Sequence, residues 1–314
     1  MNTLKLDEQT VYFGNAENMS EIGDGVVDLV VTSPPYWNLK DYEHPDQIGQ
    51  EDYASYLGRL DRVWQECYRV STERGILAVN VNTRRHRKVF YPIAFDLAQS
   101  ITGWVLIDIV IWYVPNALPQ PHWYLDKVHD NKFEFVLVFA KDYSYDYTFN
   151  KVRVKQKYRD RDSRLEKYHA EGRGIGNVIR IPSYRPPTVR KLNYHLAAFP
   201  EELPYYLIHT YTNPGDLVLD PFVGSGTTLK VARNLGRRGM GYELNEDFRD
   251  VMAKRIGEDW EGPPFEELDL ISMFNGAGRG NRVPRVKNGE GATHDHPGCD
   301  SRGHRIQPLR TEDP

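Results

Sequence analysis

The sequence has few cysteines and no long apolar segment. Cys67 and Cys299 are its only cysteines among 314 residues, far apart in the chain, which argues against a disulfide framework and favours a reducing compartment. No segment reaches the roughly 18 uninterrupted apolar residues that a membrane helix needs. The first residues, MNTLKLDEQTVYF, also lack the charged-then-apolar layout of a signal peptide. The sequence therefore predicts a cytoplasmic protein with no membrane partner.

The net charge is slightly negative, but positive charge is concentrated in one segment. The net charge of −4 alone would argue against a nucleic-acid partner. Residues 151–191, however, contain 13 Lys and Arg against 4 Asp and Glu, a net charge of +9, so the rest of the chain carries −13. This density of one sign predicts a segment that binds a polyanion, and a solvated charged surface is the alternative. The DNA contacts expected here are Lys151, Arg153, Lys155, Lys157 and Arg159.

The apolar pattern alternates between strand-like and helical segments. The chain is 40% hydrophobic, enough to fill the core of one large domain. Strand-like segments occur at 28–32, 75–81, 104–112, 133–139, 216–220 and 239–243. Helical spacing occurs at 53–68, 90–101, 201–211, 226–235 and 246–256. This order predicts an α/β fold with a doubly wound, mostly parallel sheet that is interrupted by the basic segment. After about residue 274, Gly, Pro and charged residues predict a disordered tail.

A second informative segment, DLVLDPFVGSGTTLKVARNLGRRGMGYELNEDF, covers residues 216–248. Its first strand ends at Asp220, a turn with Gly224 and Gly226 follows, and Glu243 closes the next strand. Glycines let a ligand approach the backbone, and an acid at the end of the second strand can accept hydrogen bonds from ribose hydroxyls. The segment lacks the Lys-Ser/Thr of a P-loop and the third glycine of a dinucleotide fingerprint. Because Asp220 lies where dinucleotide enzymes place pyrophosphate, we expect a cationic ligand. S-adenosylmethionine fits, with its amino group on Asp220 and its ribose on Glu243.

The segment TSPPYW follows the strand at 28–32. An exocyclic amine on a nucleobase has its lone pair delocalised into the ring, so it attacks a methyl sulfonium only when acceptors hold its hydrogens. The Ser33 hydroxyl and the Pro34 carbonyl can act as these acceptors, and the pair Pro34-Pro35 makes the turn stiff. Tyr36 offers a ring on which an extruded base can stack. The sequence therefore predicts methyl transfer to a base amine.

Together, TSPPYW and LDPFVGSGTT resemble the motifs of the DNA amino-methyltransferases. The order of catalytic loop, basic insert and cofactor loop is similar to the beta class of that family, a circular permutation of the common methyltransferase fold. The resemblance implies catalytic and cofactor-binding halves at 1–142 and 193–274, a target-recognition insert at 143–192 and a tail at 275–314. It also implies the residues that hold S-adenosylmethionine: Asn15, Phe199, Asp220, Pro221, Phe222, Gly224, Ser225, Gly226, Thr227 and Glu243. Asn15 departs from the family pattern, which often has an acid at this position that contacts the adenine of the cofactor, but its amide can still donate and accept hydrogen bonds.

The first residue of the catalytic tetrapeptide, Ser33–Tyr36, gives an indication of which base is methylated. In this family Ser-Pro-Pro-Tyr is more similar to the N4-cytosine enzymes and Asp-Pro-Pro-Tyr to the N6-adenine enzymes, so Ser33 favours cytosine N4 in duplex DNA. Transfer to cytosine C5 is disfavoured, because it needs a nucleophilic thiol and neither cysteine lies in a Pro-Cys loop. The alternatives are an N6-adenine enzyme, a methyltransferase of RNA or of protein amides, and a DNA-binding protein without catalysis. A restriction endonuclease with the same site is a further partner that this class implies.

Two other stretches are less informative. The segment NTRRHRK, residues 82–88, follows a predicted strand and is either a contact to DNA phosphates or a solvated basic loop. The tail contains HDHPGC and His304, but their spacing is irregular and the surrounding sequence is of low complexity. No metal site is predicted, since a sulfonium carries its own leaving group.

Overall fold

The six predicted strands are all present in the computed structural model, which describes residues 2–39, 41, 44–117, 127–154, 173–183, 199–260 and 262. All of these lie in one unit, Met1–Asn275. The predicted tail at 275–314 lies outside the described residues. The strands are β1 (Asn2–Leu6), β2 (Gln9–Phe13), β3 (Val27–Thr32), β4 (Ser71–Val81), β5 (Arg84–His86), β6 (Val89–Tyr91), β7 (Val105–Tyr113), β8 (Phe133–Ala140), β9 (Arg153–Val154), β10 (Arg173–Gly174), β11 (Val178–Arg180), β12 (Leu217–Asp220) and β13 (Arg238–Glu243).

The main sheet brings the two ends of the chain together. Its strand order is β1-β2-β13-β12-β3-β4-β8-β7-β11. The strands from β2 to β4 in this order are mutually parallel, and β8 is antiparallel to both of its neighbours. Since β12 pairs directly with β3, their carboxyl ends lie side by side at one edge of the sheet. This edge is therefore where the two sequence motifs meet.

Helices cover both faces of the sheet, as the doubly wound prediction requires. They are α1 (Tyr53–Val70), α2 (Ile93–Ser100), α3 (Glu202–Tyr211), α4 (Thr227–Asn234) and α5 (Arg249–Gly257), which follows a 3-10 turn at Glu246–Phe248. Alternating residues of β3 point to opposite faces: Val30 packs with α1 and α2, whereas Leu29 and Val31 pack with α3. Both layers are fully buried, so the position of β3 is fixed on two sides.

The start of α1 has a local cause in the sequence. Asp52 caps the helix by accepting hydrogen bonds from the backbone N–H groups of Ala54 and Ser55. The apolar stripe predicted for this helix is buried, including Tyr56, Leu60 and Trp64. None of the helices in the described part of the chain combines the length and apolar character that a membrane crossing requires.

The basic segment contributes to the main sheet as well as to a loop. β9 and β10 form a small antiparallel pair, whereas β11 adds to the main sheet beside β7. The insert predicted at 143–192 therefore includes one strand of the main sheet. Lys155, Lys157 and Arg159 of this segment lie outside the described residues.

Candidate active site

The loop between β12 and α4 turns sharply beneath the carboxyl edge of the sheet. Gly224 has a φ of 53° and Gly226 a φ of 87°, a region of backbone conformation that favours glycine. Gly226 also caps α4, and a Cβ atom there would lie 2.9 Å from the Ile256 side chain. The turn therefore needs glycine at 226 for both its conformation and its close packing. It brings the first turn of α4 directly under the edge at which β12 ends.

Asp220 links the two motifs of the sequence. Its buried carboxylate accepts hydrogen bonds from the hydroxyl of Thr32 at 2.7 Å, the hydroxyl of Thr228 at 2.6 Å and the backbone N–H of Phe222 at 3.0 Å. Burial raises the pKa of Asp220, and these three hydrogen bonds act in the opposite direction. Because Thr32 immediately precedes the catalytic loop, Asp220 fixes that loop relative to the glycine turn. An amino group of a ligand has the remaining lone pair of this carboxylate as its acceptor.

Glu243 lies at the end of β13 with its carboxylate beside the glycine turn. It accepts hydrogen bonds from the backbone N–H of Gly224 at 2.8 Å and of Asn245 at 3.0 Å. Burial raises the pKa of Glu243 to about 7, although both hydrogen bonds favour the charged form. A carboxyl group in this state is suited to a polar ligand, since hydroxyl donors would compensate for the solvation that burial removed.

Hydrogen bonds with residues at and just before the start of α1 hold the catalytic loop in place. The hydroxyl of Tyr56 donates a hydrogen bond to the Pro35 carbonyl at 3.0 Å. The indole N–H of Trp37 donates to the Glu51 carbonyl at 2.8 Å. Pro34 is buried, and Ser33 and Tyr36 are half-buried. The turn therefore has little freedom, as the two prolines predict.

A chain of polar side chains leads away from Ser33. The Tyr36 hydroxyl donates to a carboxylate oxygen of Glu134 at 3.1 Å, and the amide of Asn80 donates to the same oxygen at 2.8 Å. Burial and then the Glu134 charge raise the pKa of Tyr36 far above its usual value, while a hydrogen bond with Ser33 lowers it. Burial also raises the pKa of Glu134. Because the Tyr36 hydroxyl donates to Glu134, its oxygen is left as an acceptor on the side of Ser33.

One pocket joins the two motifs. Its empty volume is about 960 Å³, including the space at its mouth. Of the predicted site residues, those that line it are Asn15, Ser33, Pro35, Phe199, Asp220, Pro221, Phe222, Gly224, Ser225, Thr227 and Glu243. Pro34, Tyr36 and Gly226 are not among the lining residues.

Several lining residues carry no signal in the sequence. His44, Gln47 and Ile48 come from the loop after the catalytic tetrapeptide, and Asn245 and Phe248 follow Glu243. The loop is anchored on the catalytic turn, because the N–H of Asn38 donates to the Gly49 carbonyl at 2.6 Å. Its contribution to the pocket depends on this long-range contact, which no local pattern in the sequence could indicate.

Asn15 and Phe199 both line the pocket. The amide of Asn15 already donates to Glu17 at 2.8 Å, and its oxygen accepts from the Glu17 N–H at 2.9 Å. An adenine contact at Asn15 therefore stays a prediction that must use its second hydrogen or lone pair. Phe199 lies just before α3, which begins at Glu202.

Lys151 and Arg153, two of the predicted DNA-binding cations, are not among the residues that line this pocket. Lys151 is exposed and Arg153 half-exposed, beside the small sheet of β9 and β10. Across the described ranges, no group of His, Cys, Asp or Glu is arranged to hold a metal ion. The histidines and cysteine of HDHPGC, together with His304, lie outside those ranges.

The residues present fit S-adenosyl-L-methionine. The pocket has an acid at each of two strand ends, Asp220 and Glu243, a glycine turn that lets a ligand reach the backbone, and apolar walls from Ile48, Phe199 and Phe222. Open α/β sheets bind their ligands at the carboxyl ends of the strands, and with residues that fit this cofactor the arrangement is that expected of the class of S-adenosylmethionine methyltransferases.

Within that class, the chain belongs to the DNA methylase family of N6-adenine and N4-cytosine methyltransferases, whose model matches residues 27–255. It is 30% identical over 298 residues to the type II methyltransferase M.Cfr9I of Citrobacter freundii, covering 82% of this chain and 90% of that protein. It is 31% identical to M.XycI of Xanthomonas campestris pv. cyanopsidis, over 81% of this chain and 89% of the relative. Its cofactor is S-adenosyl-L-methionine.

Solved structures share the fold. The PvuII DNA methyltransferase, cytosine-N4-specific, superposes with a TM-score of 0.63 at 21% identity, covering 81% of this chain and 88% of that one. The protein TTHA0409 of Thermus thermophilus, complexed with S-adenosyl-L-methionine, gives a TM-score of 0.56 at 26% identity, over 81% of this chain and 95% of that chain. The prediction of a DNA amino-methyltransferase is thereby confirmed at the level of the family.

Proposed function

We propose that the protein methylates the N4 amine of a cytosine extruded from duplex DNA at a specific site. The observation that carries this proposal is the position of Ser33. It lines the pocket directly after the end of β3, next to the hydrogen bond from Tyr36 to Glu134, so its hydroxyl oxygen can act as an acceptor toward the pocket. An acceptor is what an attacking amine requires, since its nitrogen must become tetrahedral while its hydrogens are held.

The residues divide the work between binding and proton handling. The bound cofactor supplies a methyl group on a positively charged sulfur. Ser33 and the Pro34 carbonyl hold the amine hydrogens, and Asp220 and Glu243 hold the amino and ribose ends of the cofactor. As the nitrogen gains the methyl group it loses one proton, and the chain Ser33–Tyr36–Glu134 offers that proton a path to a carboxylate. The raised pKa of Glu134 makes it a suitable acceptor.

Cytosine C5 is a poor target for this site. That reaction needs a thiolate near the base. Cys67 is fully buried within α1, and burial strongly raises the pKa of its thiol. The only cysteine in the described part of the chain is therefore an unreactive core residue, and methylation of an exocyclic amine is favoured.

The strand order supports the beta-class permutation. The N-terminal strand β2 lies beside the late strand β13, and the cofactor strand β12 lies between β13 and the catalytic strand β3. A chain whose N-terminal strands complete the cofactor half is what a circular permutation produces. The basic segment then follows the catalytic half, where we place the target-recognition region. Type II relatives make a restriction endonuclease that recognises the same site a candidate partner.

The proposal is tested by expressing the chain in a host that lacks its own DNA methylases. Genomic DNA is then sequenced with a method that distinguishes N4-methylcytosine from N6-methyladenine and reports the surrounding bases. We expect N4-methylcytosine at one short recurring sequence. N6-methyladenine at such a sequence would overturn the choice of base, and unmodified DNA from a host that contains folded protein would overturn the proposal as a whole.

A further inference from the structure

A short hairpin lies directly beside the catalytic loop. Strands β5 and β6 pair so that His86 is opposite Val89 and Arg85 is opposite Phe90. Only Arg87 and Lys88 therefore form the connecting loop. This is the basic segment for which the sequence left two interpretations open.

The loop of this hairpin adopts a conformation that its residues disfavour. Arg87 has a φ of 48° and Lys88 a φ of 71°. A two-residue hairpin loop with positive φ at both positions is normally built from Asn-Gly or similar pairs, because a side chain with a Cβ is crowded there. Both side chains are exposed, so no packing in the core explains their presence. The chain thus gives up conformational stability to place two long cations at the hairpin tip.

One face of the hairpin is fixed to the catalytic loop. The rings of Tyr91 and His86 lie 4.5 Å and 5.6 Å from the Trp37 ring, centroid to centroid. The Asn38 amide lies 3.3 Å from the His86 ring nitrogen, and Arg84 donates to the Asn38 carbonyl. Trp37 directly follows the catalytic tetrapeptide. Anything that binds the hairpin tip is therefore held at a fixed position relative to Ser33.

The charge of the hairpin defines the partner that it fits. Residues 82–91 contain four Arg and Lys and no Asp or Glu. On the outer face, Arg85 lies over the Phe90 ring, 4.9 Å from its centroid, and that ring is 47% exposed. A cationic tip beside an amine-methylating loop matches the phosphates that flank an extruded base.

We propose that the hairpin Arg84–Tyr91 is a DNA-contact site separate from the basic insert, in which Arg87 and Lys88 bind phosphates next to the target base. The proposal rests on the proposed function only in taking duplex DNA as the substrate. It does not depend on which base is methylated.

The test replaces the loop with the pair that its conformation prefers, Arg87→Asn with Lys88→Gly. If the hairpin had only a structural role, this replacement would raise its stability and leave DNA binding unchanged. We expect the variant to unfold at the same or a higher temperature and to keep its cofactor affinity. Its affinity for a random-sequence duplex of about 30 base pairs should fall roughly tenfold or more, and the slope of log K against log salt should decrease by about 1.8. Phosphate contacts are independent of sequence, so no recognition site is needed.

Two further variants separate the possible causes. Arg87→Gln with Lys88→Gln removes the charges and leaves the crowded loop, and it should show the same decrease in slope. Lys5→Ser with Lys254→Ser removes two exposed lysines on β1 and near the end of α5, and it should leave the slope unchanged. If both loop variants keep the salt slope of DNA binding that the unmodified protein shows, the proposal is overturned. If the unmodified protein shows no salt-dependent DNA binding, the proposed function fails together with it.

Discussion

The two sides of the active-site edge are built differently. On the cofactor side, Asp220 and Glu243 are drawn into the fold, and backbone N–H groups and hydroxyls surround their carboxylates. On the side proposed to face DNA, Arg87, Lys88 and Lys151 are exposed. The cofactor-side arrangement exists before any ligand arrives, whereas the proposed phosphate contacts would form only when DNA binds.

This difference follows from what each side must bind. A small cofactor gives few contacts, so its site has to be preorganised by strands whose positions are fixed on both faces. A DNA duplex gives many weak phosphate contacts, and each needs only a cation within reach. Substitutions on the cofactor side should therefore affect folding and affinity together, whereas those on the DNA side should affect salt-dependent binding alone.

The largest effect is expected at Asp220. Asp220→Ala removes the acceptor of three buried donors and the link between Thr32 and the glycine turn. We expect a loss of about 2–5 kcal/mol in the free energy of unfolding, measured with chemical denaturant, and weaker cofactor binding in calorimetry. Asp247→Ala at an exposed position is the matched control and should change stability by less than about 0.5 kcal/mol. Equal stability of the two variants would show that Asp220 does not join the motifs.

A smaller effect, on cofactor affinity and its dependence on pH, is expected at Glu243. Its pKa of about 7 means that the carboxyl is partly protonated in the free protein near neutral pH. Because ribose hydroxyls donate best to the ionised form, cofactor affinity should rise from about pH 6 to about pH 8, with a proton released on binding. Glu243→Gln should weaken binding by about 1–3 kcal/mol and remove this pH dependence.

Calorimetry in two buffers of different ionisation enthalpy measures that proton. The Gln variant also corrects for any titration of the cofactor itself. The unliganded protein should meanwhile lose stability as the pH rises from about 4.5 to about 7, because the folded state holds the Glu243 proton more tightly than the unfolded chain. A proton release that is the same in both proteins would contradict the assignment of Glu243.

The smallest effect is expected in the basic insert. Reversing Lys151 and Arg153 to Glu should reduce the salt slope of DNA binding by about 0.9 for each phosphate that the variant no longer neutralises, without changing cofactor affinity. The same holds for Lys155, Lys157 and Arg159, which lie outside the described residues. Binding as a function of salt gives the slope. An unaltered slope would assign these cations to a solvated surface.

The sequence predicts those residues of the candidate site that lie at the ends of strands. Ser33, Asp220 and Glu243 each end or follow an apolar run, and parallel strands bring such ends to one edge, so these residues could be assigned without coordinates. The core helices and the six central strands were predictable for the same reason, since their periodicity reflects burial on one or both faces.

The remainder depends on pairings between distant segments. The bond from Thr32 to Asp220 joins residues 188 positions apart, and Glu134 is a single polar residue in an apolar strand whose partners lie on β4 and the catalytic loop. The N-terminal strands were missed because five-residue segments such as QTVYF give a weak pattern. Their stability comes from pairing with β13, which local sequence does not encode.

The most direct measurement of catalysis at this edge is the rate of methyl transfer by Ser33→Ala in a single turnover, with DNA and cofactor binding measured in parallel. The substrate is a duplex that carries the site found by sequencing, and Ser20→Ala at an exposed position is the control. We expect transfer to slow by about tenfold or more with both affinities nearly unchanged, because only the acceptor for the amine is removed. Transfer at the rate of the unmodified protein would show that Ser33 is only a turn residue, and the choice of cytosine N4 would lose its chemical basis.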